Sequence, residues 1–300
     1  MTKLSGEDED LPSQQHAKTK YTTLPRLYIG PSPICPSAST ITLNIGTRIA
    51  LSPEHAHYVT KVMRIGGKQA SNKNRIRIFD GAHGEWLAEV LLEETDDSRK
   101  RKRSDASVFA TCLKQLRPQP TSHEDLPWLY LAPLKKVRMK MILEKCTELG
   151  VGGFTILATD RTDPLSKRDC QELDRLAIQI TEASEQCERL TVPALFSLEE
   201  GSVKSLLDAH KERSDHLLVC RERTSATPVL LALSVMDEMQ SGISFLVGPE
   251  GGWSSEEESY FDIVDCKSIR CVSLGPHVLR AETAAMTVVA SYALFKDTFR

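Results

Sequence analysis

From Leu24 onward, apolar and polar positions alternate over short runs. In Arg75-Ile76-Arg77-Ile78 the apolar residues repeat with period two, and in Glu85-Trp86-Leu87-Ala88-Glu89-Val90 and Val108-Phe109-Ala110-Thr111-Cys112-Leu113 the alternation is looser but β-formers dominate. These runs predict the strands of a small β-rich domain. Asp80-Gly81, followed by Gly84, predicts a turn between two of them. The charged stretch Glu93 to Asp105 reads most simply as a long solvated hairpin loop. The RKRKR run inside it, Arg99 to Arg103, could also serve as a nuclear-localisation or RNA-contact patch, diluted by Glu93, Glu94, Asp96 and Asp97.

After Pro127 the rhythm changes to compact apolar runs separated by helical patterns, the mark of βαβ units and a parallel sheet. Trp128 to Ala132 predicts a strand. Arg138 to Leu149 predicts a helix with Met141, Ile142, Lys145 and Leu149 near one face and Gly150 closing it. Phe154 to Ala158 predicts the next strand, and Leu173, Leu176, Ile180, Ala183 and Cys187 outline a long amphipathic helix. Leu217 to Cys220 and Ile243 to Val247 have the unbroken apolar character of strands buried on both faces. The change of rhythm at the Pro-rich stretch Arg117 to Pro127 divides the chain into 23–122 and 127–300, behind a polar, aperiodic segment 1–22 that reads as a disordered tail.

Composition narrows the class without naming it. With 300 residues, 40% hydrophobic and 26% charged, the chain can bury two cores, which excludes a fibrous repeat or wholesale disorder. No run approaches eighteen apolar residues and MTKLSGEDED lacks an apolar signal core, so neither a membrane span nor secretion is expected. The net charge of −3 conceals an asymmetry: +4 over residues 23–126 and −6 over 127–300. The basic smaller part is therefore the one expected to meet a polyanion. Eight scattered cysteines without a CxxC pair read as buried free thiols. His55 and His57 would share a face on a strand, but no third ligand accompanies them, and no metal is expected.

The candidate chemistry lies in two glycine loops. Val247 ends a buried run and is followed by Gly248-Pro249-Glu250-Gly251-Gly252-Trp253, after which Ser254 with Glu257, or Ser255 with Glu258, forms a capping box. Ile269 to Leu274 runs into Gly275-Pro276-His277-Val278-Leu279-Arg280 and then Ala281-Glu282-Thr283-Ala284-Ala285, which opens an apolar C-terminal helix. The two loops are expected to end neighbouring strands, where open α/β sheets bind ligands. Neither has the spacing of a dinucleotide fingerprint or a P-loop, which leaves a nucleotide-dependent oxidoreductase remote.

Together the loops resemble the paired signatures GPEGG and LGxxxLRxETA of the RsmE family of SPOUT (trefoil-knot) RNA methyltransferases. Leu24-Pro25-Arg26-Leu27-Tyr28, His57 to Arg64, Phe79-Asp80-Gly81, Glu144 to Val151 and Glu185-Gln186-Cys187-Glu188-Arg189 resemble further segments of that family, with Glu188 standing where a small residue or glycine is usual. The acidic tail, residues 70–74 and the Glu93 to Asp105 loop look like additions to the compact form.

The resemblance implies an α/β fold: a PUA-like β-barrel over about 23–122 that helps hold RNA, then a SPOUT methyltransferase domain over 127–300 with a parallel sheet and a C-terminal trefoil knot. It implies a homodimer that binds S-adenosylmethionine and methylates N3 of one uridine in small-subunit ribosomal RNA, without a metal and away from membranes. The cofactor would lie against Val247, Gly248, Pro249, Glu250, Gly251, Leu274, Gly275, Leu279, Arg280 and Thr283. Uracil N3 carries a proton, so a base and a cation are wanted: Glu282 to accept the proton directly or through water, Arg280 to stabilise charge on the uracil oxygens. The plain alternative is that Glu282 caps the final helix and pairs with Arg280. Arg26, Lys61, Arg64, Arg138 and Arg189 are the candidates for RNA contact. Rival readings are a relative with a different RNA target and a catalytically silent RNA-binding protein in ribosome assembly. An intracellular, by default cytoplasmic, location is expected, and a bacterial-type ribosomal RNA in a nucleated cell would make it organellar.

Overall fold

The computed structural model describes residues 21–36, 41–65, 74–93, 107–120, 126–162, 170–198, 202–213, 215–222, 224–236, 242–264 and 268–298, the side chains of residues 170 and 171 excepted. The acidic tail up to residue 20, residues 70–73, most of the Glu93 to Asp105 loop and Cys266 lie outside them.

The first five strands are β1 (Arg26–Tyr28), β2 (Arg48–Ala50), β3 (Arg75–Phe79), β4 (Glu85–Glu93) and β5 (Ser107–Arg117), joined in the order β1-β3-β4-β5-β2. All pairs are antiparallel except β1 with β3. Their inward residues, among them Leu27, Ile76, Ile78, Trp86, Val90 and Ala110, form a separate core. The predicted turn stands between β3 and β4, where Asp80 Oδ1 accepts from the backbone N–H groups of Ala82 and His83 at 3.0 and 2.8 Å. His55 and His57 lie on a short helix, α1 (Pro53–His57), which continues as a π-helical turn over Tyr58–Val62. They are therefore not a strand pair sharing a face.

The second part holds β6 (Trp128–Leu131), α2 (Lys136–Glu148), β7 (Gly153–Leu157), α3 (Cys170–Gln186), β8 (Ala194–Leu198), α4 (Val203–Lys211), β9 (His216–Cys220), β10 (Thr227–Pro228), α5 (Val229–Met236), β11 (Ile243–Val247), α6 (Ser255–Ile263), β12 (Ile269–Ser273) and α7 (Ala281–Thr298). The strand order is β10-β12-β9-β11-β6-β7-β8, every pair parallel. Successive residues of one strand serve opposite faces. Leu129, Leu131, Phe245 and Val247 pack under α2, α3, α5 and α7, while Tyr130, Leu217, Val219 and Leu246 pack under α4 and α6. This two-sided burial explains the unbroken apolar runs. The buried stripe of α2 is Met139, Ile142, Leu143 and Cys146, whereas Met141 is 44% exposed, so the predicted face was turned by about one residue.

The two parts meet at the C-terminal end of α3, through arginines. Glu85 is buried and ion-paired with Arg26 and with Arg117, whose Nε lies 2.9 Å away. Arg26, 7% exposed, stacks on the Phe79 ring and donates to the carbonyls of Ser184 (2.9 Å) and Arg189 (2.6 Å). Arg77 donates to Glu188 (2.8 Å) and to the Thr22 carbonyl (3.1 Å), and Arg117 to the Glu188 carbonyl (2.8 Å). Residues 21 and 22, assigned to the tail from sequence, thus belong to the folded joint. Arg26 and Arg189 are corrected from RNA contacts to joint residues: Arg189 donates to the Thr147 carbonyl (2.8 Å), and burial lowers its pKa to about 10. Glu188 adopts φ +59°, the left-handed region that glycine enters without strain, which explains why a small residue would suit this position. Of the cysteines, Cys112, Cys146 and Cys220 are buried as expected, while Cys35 and Cys187 are exposed.

Removing the carboxylate strands two partnered arginines in a buried joint. Glu85→Ala is expected to lower stability by about 3–5 kcal/mol in urea denaturation, against about 1 kcal/mol or less for Arg48→Ala in the exposed pair with Glu93. Glu185, whose carboxylate accepts from Tyr28 N–H at 2.7 Å, has its pKa raised by burial to about 7. A carboxyl with a raised folded pKa contributes most below its unfolded value, near 4.3, and loses that contribution as pH rises toward 7. Glu185→Gln should therefore match the parent at pH 4 and exceed it at pH 8 by about 1–2 kcal/mol in the same measurement.

Candidate functional site

The two glycine loops end β11 and β12, and β9 lies between those strands, so the predicted neighbour relation is corrected: the loops flank a third strand. Between them, at the carboxyl ends of β9, β11 and β12, opens a cavity of about 520 Å³, in the range of small-molecule sites.

Close packing shapes the first loop. A Cβ on Gly248 would stand 2.8 Å from the Trp253 ring, whose Nε1 donates to the Cys220 carbonyl at 3.2 Å. The indole excludes a Cβ at Gly248, and no positive φ is involved. Ser254 and Glu257 form the capping box (2.8 and 3.0 Å), while Glu258 of the alternative box pairs with Arg221. The segment after β7 supports the loop from outside: Asp160 N–H donates to Glu257 (3.1 Å), and Arg161 donates to the Gly251 carbonyl.

The second loop opens with Gly275 at φ +129°, and no atom stands within 4 Å of the Cβ it lacks, so the cavity is open at this point. Leu279 N–H, further along, donates to Glu222 Oε1 at 3.1 Å. Burial works against the Arg221 charge, but its hydrogen bonds to Asp262, Glu258 and Cys271 outweigh it and raise the guanidinium pKa. Burial pushes the Cys220 thiol up to about 12, so this cavity-lining sulfur is no thiolate nucleophile at neutral pH.

Of the predicted cofactor residues, Val247, Gly248, Pro249, Glu250, Gly251, Leu274, Gly275, Leu279 and Arg280 line the cavity. Thr283 is exposed on the first turn of α7, between the lining residues Ala281 and Ala284. Arg280 and Glu282 are not paired. Arg280 is exposed at the wall, and Glu282, 8% exposed, sits behind it with Oε1 3.6 Å from Arg138 Nε and Oε2 buried without a partner. Arg138 lines the cavity and also pairs with Glu250. Lys61 and Arg64 are exposed beside the exposed Tyr58. Sequence reasoning missed Arg161, Arg221 and Glu222, because only the β9 crossover brings 221 and 222 between loops some 30 and 55 residues away. No cluster of three or more metal-ligating side chains occurs among the described residues.

The model of the RNA methyltransferase domain family matches residues 124–293. A protein of Rickettsia conorii named ribosomal RNA small subunit methyltransferase E is 30% identical over 247 residues, covering 81% of this chain and 88% of its own. One of the same name from Synechocystis is 27% identical over 293 residues, 96% and 84% of the two chains. A putative methyltransferase from Legionella pneumophila, solved with bound cofactor SAM, aligns with TM-score 0.65 and 25% identity over 92% of this chain and 98% of that one.

Because the Gly248 constraint is a clash with a buried indole, Gly248→Ala is expected to displace Trp253, shift tryptophan emission and cost about 1–3 kcal/mol in thermal unfolding. Gly251→Ala, whose Cβ would meet Arg161 at an ordinary 3.6 Å, should fold like the parent.

Proposed function

The chain belongs to the RNA methyltransferase family, in its ribosomal RNA small subunit methyltransferase E branch, and we propose that it methylates N3 of one uridine in small-subunit ribosomal RNA with S-adenosylmethionine. One observation carries this reading: both glycine loops meet on a single cavity at the carboxyl ends of three parallel strands.

The cavity fits the cofactor. Val247, Leu274, Leu279, Ala281 and Ala284 offer an apolar lining for adenine, the backbone at Gly275 leaves open space, and charged side chains stand ready for the amino-acid end. When bound, S-adenosylmethionine supplies an electrophilic methyl group. Arg280, exposed at the wall, stabilises negative charge on the uracil oxygens as N3 loses its proton. Glu282, whose Oε1 lies 3.6 Å from Arg138 Nε, is the acceptor of that proton in this reading and holds Arg138 in place. The base must be unpaired or flipped out to present N3.

The five-stranded sheet is the PUA-like element of the proposal, with Lys61 and Arg64 on phosphates. The return of α7 from the strand beyond β9 to pack against α2 and α5 supports a knotted C-terminus. A homodimer is supported by the apolar groups that these helices leave exposed: Val137, Leu230, Leu231, Val235 and Leu294. Such a substrate places the reaction wherever bacterial-type ribosomes assemble, in the cytoplasm or an organelle.

Purified protein with S-adenosylmethionine should produce N3-methyluridine in small-subunit ribosomal RNA from cells lacking the gene, read by nucleoside mass spectrometry. A different methylated nucleoside overturns the N3 assignment. Arg280→Ala should bind cofactor within about threefold of the parent yet lose about 10²–10³ in turnover, and full activity would remove it from the mechanism.

A further inference from the structure

Three acids line the cavity: Glu222, Glu250 and Glu258. Glu250 is neutralised by Arg138 and Glu258 by Arg221. Glu222 has no cation against it among the described residues; its one contact is the Leu279 N–H at 3.1 Å, which engages a single oxygen. It stands at the end of β9 with a glycine loop on either side, and it is exposed, so a ligand can reach it. An unmatched carboxylate in the wall of a ligand cavity favours a cationic ligand over a neutral one of the same shape.

We infer that Glu222 distinguishes the charged cofactor from its spent product. This rests on the methyltransferase reading above. S-adenosylmethionine and S-adenosylhomocysteine share adenine, ribose and amino acid. They differ by the methyl group and by the sulfonium charge that disappears when the sulfur keeps the electron pair of its broken S–CH3 bond. Glu222 favours the cation, so the charge lost on transfer weakens the product's hold. A hydrogen bond from Glu222 to the ribose would act equally on both compounds, which separates that role from the one inferred.

The test is isothermal titration of the full chain with S-adenosylmethionine and, separately, S-adenosylhomocysteine. Glu222→Gln keeps an oxygen for the Leu279 N–H and removes the charge. It is expected to weaken S-adenosylmethionine about tenfold and to leave S-adenosylhomocysteine within about twofold. Glu222→Asp keeps the charge and should keep the preference. Equal weakening of both ligands in the Gln variant, no change in either, or the same loss of preference in Asp as in Gln overturns the inference. A parent protein that binds neither compound overturns the methyltransferase reading, and this inference with it.

Discussion

A carboxylate enters a protein interior only where cations and hydrogen bonds replace its water, and Glu85 shows what that demands. Arg26 and Arg117 hold it, and Arg77 approaches to 3.5 Å. These guanidiniums have donors left over, and they direct them at carbonyls and a carboxylate around the end of α3. A helix leaves its last carbonyls without partners, so the arginines of one domain supply what the helix of the other lacks. Lysine could not do this, because a single ammonium has no rigid fork of donors with which to serve a carboxylate and several carbonyls together. The orientation of the small sheet relative to the cavity therefore depends on the buried Glu85.

What was legible in the sequence follows from how local the determining physics is. Strands buried on both faces announced themselves as apolar runs, and the capping box at Ser254 and Glu257 was readable because its two bonds span three residues. The face of α2 was misread because Met141 and Lys145 fit a helical period as well as Met139 and Cys146 do, and only the packed sheet decides between them. Arg26 and Arg189 looked like phosphate contacts because an arginine bound to backbone carbonyls leaves no trace in sequence. The family pattern did leave one. A small residue is usual where Glu188 stands, and the left-handed backbone there supplies the reason.

The site was legible as two loops but not as a cavity. Parallel strands need long crossovers, so chain order says little about which strands touch. Inserting β9 between β11 and β12 sets the glycine loops one strand apart and fills the interval with Cys220, Arg221 and Glu222. That interval decides the chemistry of the floor: a thiol held protonated by burial, an arginine pinned by Glu258 and Asp262, and one unmatched carboxylate.

Helix α2 connects the joint and the cavity, and it holds them apart. Near its start Arg138 lies between Glu250 and Glu282 at the cavity wall; near its end the Thr147 carbonyl accepts from Arg189 beside the α3 carbonyls that Arg26 grips. Their separation of nine positions corresponds to roughly 14 Å of helix rise. The small domain is thus fastened at the opposite end of the parallel sheet from the cavity.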